Sequence, residues 1–152
     1  MRVSPGAAGR VDNLRKSEAK LSLGERGVYD DFVNRVNGVK DTVAHFIKEE
    51  VGKGKQIYVY GASTKGNTML QYFNLDNILI TAAVERNPAK WGKKTVGTNI
   101  PIISEERVRK EHPDYFLVLP WHFLKEFKAR EAEYLQSGGK FIVPLPEFLV
   151  IP

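Results

Sequence analysis

The chain has 152 residues, 42% of them hydrophobic, and a net charge of +5 from 23 Lys and Arg against 18 Asp and Glu, the proportions of one soluble domain able to bury a core. The absence of cysteine excludes a disulfide scaffold, thiolate-held zinc or iron–sulfur clusters and a thiol nucleophile, and leaves the redox compartment open. The basic excess is spread along the chain, so no block reads as a nucleic-acid arm, while a pI near 9.4 suits an anionic ligand. Ile57–Tyr60, Ile78–Val84, Tyr115–Leu119 and Phe141–Val143 are far shorter than the roughly 18 residues of a membrane span, and Met1–Arg10 lacks the apolar stretch of a signal peptide, so no membrane partner and a cytoplasmic location are expected.

Residues 1–27 hold four glycines and a proline without a sustained apolar period and read as an arm or linker with no core of its own; residues 28–152 read as the domain. From Tyr29, the spacing of Phe32, Val33, Val36, Val43, Phe46 and Ile47 predicts one amphipathic helix ending near Gly52. Ile57–Tyr60 predicts a strand stopped by Gly61, and Asn67–Phe73 a helix. Leu79–Val84 predicts a second strand, with Glu85, Arg86, Asn87 and Pro88 at its carboxyl end, where open α/β sheets hold ligands. Lys90–Thr98 is too short for a crossover helix, so Ile100–Ile103 is at best a short edge segment before a helix capped by Ser104. Tyr115–Leu119 predicts a third strand, Phe123–Gln136 a helix stopped by Gly138-Gly139, and Phe141–Val143 a fourth strand. On that helix Glu126, Glu131 and Glu133 with Lys125, Lys128 and Arg130 read as the solvated face, and His45 and His112 read as structural or solvated. Strands alternating with helices give an α/β, Rossmann-like three-layer fold, a mostly parallel sheet with flanking helices, preceded by the amphipathic helix.

Gly61-Ala62-Ser63-Thr64-Lys65-Gly66-Asn67-Thr68 lies between a strand and a helix, which converges free N–H groups, hydroxyls and one ammonium on one spot suited to an anion. The P-loop pattern fails because Asn67 occupies the lysine position and Lys65 sits two residues early. The dinucleotide pattern fails at Ser63, although Glu85 falls where a ribose-binding acid often lies. A purely structural loop, with Gly61 and Gly66 permitting a turn and close packing, remains open beside anion binding.

Further pieces follow in order: Arg86-Asn87-Pro88 with Lys90, Gly97-Thr98 with Ile100-Pro101-Ile102, Pro113-Asp114-Tyr115, Leu119-Pro120-Trp121 and Gly138–Pro146. Together with Tyr60–Thr68 they make residues 28–150 resemble the C-terminal domain of S-adenosylmethionine-dependent C-methyltransferases acting on nucleotide-linked deoxysugars. The resemblance implies a non-catalytic domain that helps enclose the nucleotide-sugar, with no cofactor in this chain. S-adenosylmethionine and the catalytic base would belong to a partner domain supplied in cis or in trans. Arg2-Val3 looks like the segment that follows that domain, which implies a truncated chain, a split gene or a stand-alone relative.

Carried over residue by residue, the resemblance implies that Ala62, Ser63, Thr64, Lys65, Gly66, Asn67 and Thr68 face the substrate's diphosphate or sugar, with Lys65 as the charge partner. Glu85, Arg86, Asn87 and Lys90 close the second strand and Pro120, Trp121 and His122 the third, so both groups would border the same crevice. Glu85, Val96 and His122 depart from the residues the family often has there. Trp91 and Trp121 invite stacking on a base against an ordinary packing role. Two other readings compete: a nicotinamide-dependent oxidoreductase using Gly61–Asn67 and Glu85, and an interaction module whose glycine loop is only structural.

Overall fold

The computed structural model describes residues 5–152, so the expectation resting on Arg2-Val3 lies outside the described residues. The chain divides into two compact units, residues up to Gly38 and Val39–Pro152.

In the first unit, Pro5–Lys20 forms helix α1, with proline at the start, where its missing N–H costs nothing, and strong helix formers beyond it. Val11 and Leu14 on it are exposed, as are Tyr29, Phe32 and Val33 on the first turns of α2 (Arg26–Gly52). The apolar period read from Tyr29 onward is therefore buried only in its later part. Val43 and Ile47 are fully buried, and Val39, Phe46 and Val51 pack around them.

The second unit carries a six-stranded sheet in the order β3-β2-β1-β4-β5-β6, from strands β1 (Ile57–Tyr60), β2 (Ala82–Glu85), β3 (Ile102–Ser104), β4 (Tyr115–Val118), β5 (Lys140–Val143) and β6 (Leu149–Ile151). The first five run parallel, and β6 returns antiparallel along β5. β1 and β4 are buried at every position because helices cover both faces, which is why they read as unbroken apolar runs. On one face Val59, Leu117 and Ile142 meet α2 and helix α3 (Thr64–Tyr72); on the other Tyr58, Tyr60, Phe116 and Phe141 meet α4 (Glu105–Glu111), α5 (Leu124–Arg130) and α6 (Ala132–Gln136).

Three local expectations are corrected. The second strand begins only at Ala82, because Asp76 Oδ1 accepts from Ile78 N at 2.9 Å and residues 77–79 turn instead. A strand over Leu149–Ile151 is not among those expected from the sequence, although Phe148–Ile151 is an unbroken apolar run, and it pairs antiparallel with β5. The single helix over Phe123–Gln136 breaks at Glu131, which is not on the solvated face: it is 6% exposed and its Oε1 accepts from Tyr60 Oη at 2.8 Å and Arg109 Nη2 at 3.3 Å. Arg130 donates to the same Tyr60 hydroxyl through Nε at 2.8 Å and through Nη2. No helix among the described residues is long and apolar enough to cross a membrane.

Candidate functional site

The strand order sends the connection after β1 to one side of the sheet and brings the chain back to β4 on the other, so the loops leaving β1 and β4 meet at the switch point. Gly61 turns the chain out of β1 at φ +90°, and a Cβ there would stand 3.8 Å from Pro120 Cγ. Ser63 is extended and caps α3, its Oγ accepting from Gly66 N at 3.0 Å. Helix α3 thus starts at Thr64, three residues earlier than the apolar period shows, because the period cannot see a cap. Gly66 lets this turn approach the β4 loop: a Cβ would lie 3.0 Å from Leu119 Cδ1.

The group at the end of β2 is internally occupied. Glu85 Oε1 accepts from Arg86 N at 2.9 Å and Asn87 N at 3.1 Å, and its Oε2 pairs with Lys90 Nζ at 2.8 Å. Partial burial pushes the Glu85 carboxyl up, but the Lys90 bond and the two N–H groups outweigh it and hold the group below its ordinary value. Lys90 also donates to Ala62 O at 2.9 Å, tying the β2 loop to the β1 loop. Asn87 Oδ1 caps the short turn Pro88–Lys90 through Ala89 N, and Trp91 Nε1 donates to Glu85 O at 2.7 Å. Glu85 thus holds Lys90 and the turn after β2 and does not line the cleft described below.

The connection from β2 to β3 folds over this edge and supplies residues that the sequence reading missed. Thr95 and Thr98 are buried and share a 2.6 Å hydroxyl contact, and Thr95 Oγ1 accepts from Ile100 N at 2.9 Å. Gln71 of α3 holds the loop by donating to Val96 O at 3.0 Å. Gly97, at φ +79°, leaves room for the Gln71 side chain 3.1 Å from where its Cβ would be. The Gly97-Thr98 pair was the one signal in the sequence that this stretch was built rather than slack.

These pieces enclose a cleft of about 250 Å³ at the carboxyl ends of β1 and β2. Gly61, Ala62, Ser63, Thr64, Asn67 and Lys90 line it, joined by Lys94, Thr95 and Val96, with Leu70, Ala83 and Ile102 beneath. Of the expected site residues, Lys65 and Thr68 sit on α3 exposed and do not line it, Gly66 is buried behind it, and Glu85 supports it through Lys90. Arg86 and Asn87 are exposed beside it. Pro120, Trp121 and His122 lie on the β4 side: Trp121 packs against the second core cluster, and the exposed His122 ring lies 5.7 Å from that of Trp121 and 4.4 Å from that of Phe123. Pro120, Trp121 and His122 thus stand beside the cleft, with Pro120 next to Gly61, and are not among the residues that line it.

A larger groove of about 390 Å³ lies between α4 and α6, near the amino ends of β4 and β5. Its arginines, Arg109 and Arg130, are both paired with Glu131, and it is remote from the strand ends where such sheets bind ligands. Among the described residues no group of His, Asp and Glu is arranged to hold a metal ion.

A Rossmann-type domain with its β1–α3 loop closed by a pinned β2–β3 connection is the class that fold and cleft define. The chain belongs to the C-methyltransferase C-terminal domain family, whose sequence profile matches residues 3–146. It is 34% identical over 141 residues to "C-methyltransferase NovU" of Streptomyces niveus, an alignment that covers 93% of this chain. The same alignment covers 34% of the relative, so this chain spans about a third of the relative's length.

Proposed function

We propose that this domain binds the substrate of a C-methyltransferase, a nucleotide-linked deoxysugar, without catalysing methyl transfer itself. The observation that carries this reading is the cleft at the carboxyl ends of β1 and β2, with hydroxyls from Ser63, Thr64 and Thr95, the amide of Asn67 and the ammonium groups of Lys90 and Lys94. Such a set holds a polar, anionic ligand. C-methylation at a sugar carbon needs a base to remove a proton beside a carbonyl, and no carboxylate or imidazole lines the cleft. The base and S-adenosylmethionine accordingly belong to a methyltransferase domain acting in cis or in trans. Glu85 standing outside the lining of the cleft speaks against the nicotinamide reading.

The test is a calorimetric titration with a thymidine diphosphate sugar, S-adenosylmethionine and NAD in parallel. The nucleotide-sugar is expected to bind selectively, with Lys94→Ala weakening it about tenfold, the worth of one charge-assisted hydrogen bond, and Lys65→Ala less. Preference for NAD or S-adenosylmethionine would overturn the reading.

A further inference from the structure

The cleft offers a nucleotide's base nothing to stack on. No aromatic side chain lines it, and its volume of about 250 Å³ falls below the range that encloses a drug-sized ligand. One end of an extended molecule fits there, and the rest lies against a neighbouring surface.

Such a surface adjoins it. A groove of about 320 Å³ runs along the edge strand β3, where Gly92 N donates to Ile102 O and Ile102 N to Lys93 O. Lys94 and Ile102 line both groove and cleft, and Lys90 and Trp91, consecutive in the chain, line the cleft and the groove respectively. The groove carries what the cleft lacks. Its Trp91 indole is 43% exposed and belongs to neither apolar cluster of the core, whereas Trp121 packs against the second. An indole so exposed forgoes much of the apolar burial that ordinarily places a tryptophan. The ring is nonetheless fixed, since Nε1 donates to Glu85 O at 2.7 Å and Glu85 is itself tied to Lys90. A fixed, open π-face accepts a stacked ring at little cost in side-chain freedom. Beside it stand Lys93, Lys94 and Arg107; Arg107 Nε pairs with Glu111, while Lys93 and Lys94 are exposed and enter no ion pair among the described residues. A flat face next to ammonium groups that are not neutralised suits an aromatic ring carrying phosphate.

Resting on the proposed function, we infer that the groove along β3 seats the base of the nucleotide-sugar, stacked on Trp91, with the diphosphate crossing at Lys94 and the sugar in the cleft. Trp91 binds the ligand and takes no part in bond making. Because every base has a π-face, the groove selects nucleotides over plain phosphates without choosing among bases.

The experiment titrates the parent chain, Trp91→Leu and Trp91→Phe with inorganic diphosphate, thymidine diphosphate and thymidine diphosphate glucose, follows tryptophan emission, and records the melting temperature of each free protein. The parent is expected to prefer thymidine diphosphate to inorganic diphosphate, and Trp91→Leu to lose about tenfold of that preference, the worth of one stacked base, with inorganic diphosphate binding as before. Trp91→Phe keeps a ring but not the bond to Glu85 O, and is expected to retain most of the preference even if it melts lower. Thymidine diphosphate is expected to quench emission in the parent and not in Trp91→Phe, whose one remaining tryptophan is Trp121 on the β4 side. No preference in the parent, a preference unchanged in Trp91→Leu, an equal loss for both ligands, or a quench that survives in Trp91→Phe overturns the assignment. Selective binding of the nucleotide-sugar by the parent leaves the proposed function standing in each of those cases. A parent chain that binds none of the three ligands overturns both.

Discussion

Gly138 and Gly139 look alike in sequence and do different work. Only Gly138 has a positive φ, +96°, the usual conformational reason for glycine after a helix. Gly139 is required by proximity: a Cβ there would fall 2.2 Å from Tyr134 Cε2. The ring cannot swing away, since the Tyr134 hydroxyl accepts from Lys140 N at 3.1 Å and donates to Lys140 O at 3.2 Å, and its face lies against Phe116 and Phe141. Gly139→Ala is therefore expected to cost about 1–3 kcal/mol through overpacking, read as a lower denaturation midpoint in urea. The pair of glycines was legible as a helix stop, but the clash behind the second was not, because it depends on a ring five positions earlier. The same limit applies at Asn67, whose type and place in the loop were readable while its unpaired oxygen was not.

At the scale of elements, the parallel strands were readable because burial on both faces writes them as continuous apolar runs, and the strand ends that border the cleft followed from their order. The break between α5 and α6 was hidden, since an acidic residue among Lys and Arg at helical spacing reads as solvated whether or not it is. Glu131 is instead the tie between that break and β1, through Tyr60, with Arg109 and Arg130 closing around it. Burial and the Glu131 carboxylate drive the Tyr60 hydroxyl well above its ordinary range despite the opposing pull of Arg130, so it stays a neutral donor to Glu131. Glu131→Ala leaves that hydroxyl and Arg109 without their acceptor, while Arg130 keeps Glu105, and is expected to cost about 2 kcal/mol. Hydrogen exchange should then show the loss concentrated in α5 and α6. The wall formed by Lys94, Thr95 and Val96 was likewise missed, because a short connection rich in Gly and Lys has no period to betray that Gln71 pins it.

For the molecule as a whole, acid should be the main chemical threat. Burial pushes the Asp114 carboxyl up, but the Lys55 ammonium at 2.8 Å and Gln56 N at 2.8 Å outweigh it, leaving the group below its ordinary value. Glu50, which accepts from Lys53 and Tyr115, is also held low, as is Glu85. A carboxylate whose pKa is lower in the folded state than in the unfolded chain contributes stability above its unfolded value, about 4, and loses it as pH falls through the folded value. The denaturation midpoint is thus expected to be level from pH 7 to about 5 and to fall progressively below about 4. A midpoint that rises on acidification would contradict this.

The antiparallel return of β6 also has a practical consequence. Pairing Ile151 with Phe141 carries the chain back from the carboxyl ends of the parallel strands toward their amino ends, away from the cleft. A fluorophore or surface tether joined just beyond Ile151 would sit away from the cleft, so the proposed nucleotide-sugar binding should measure the same on an immobilised protein as on one free in solution.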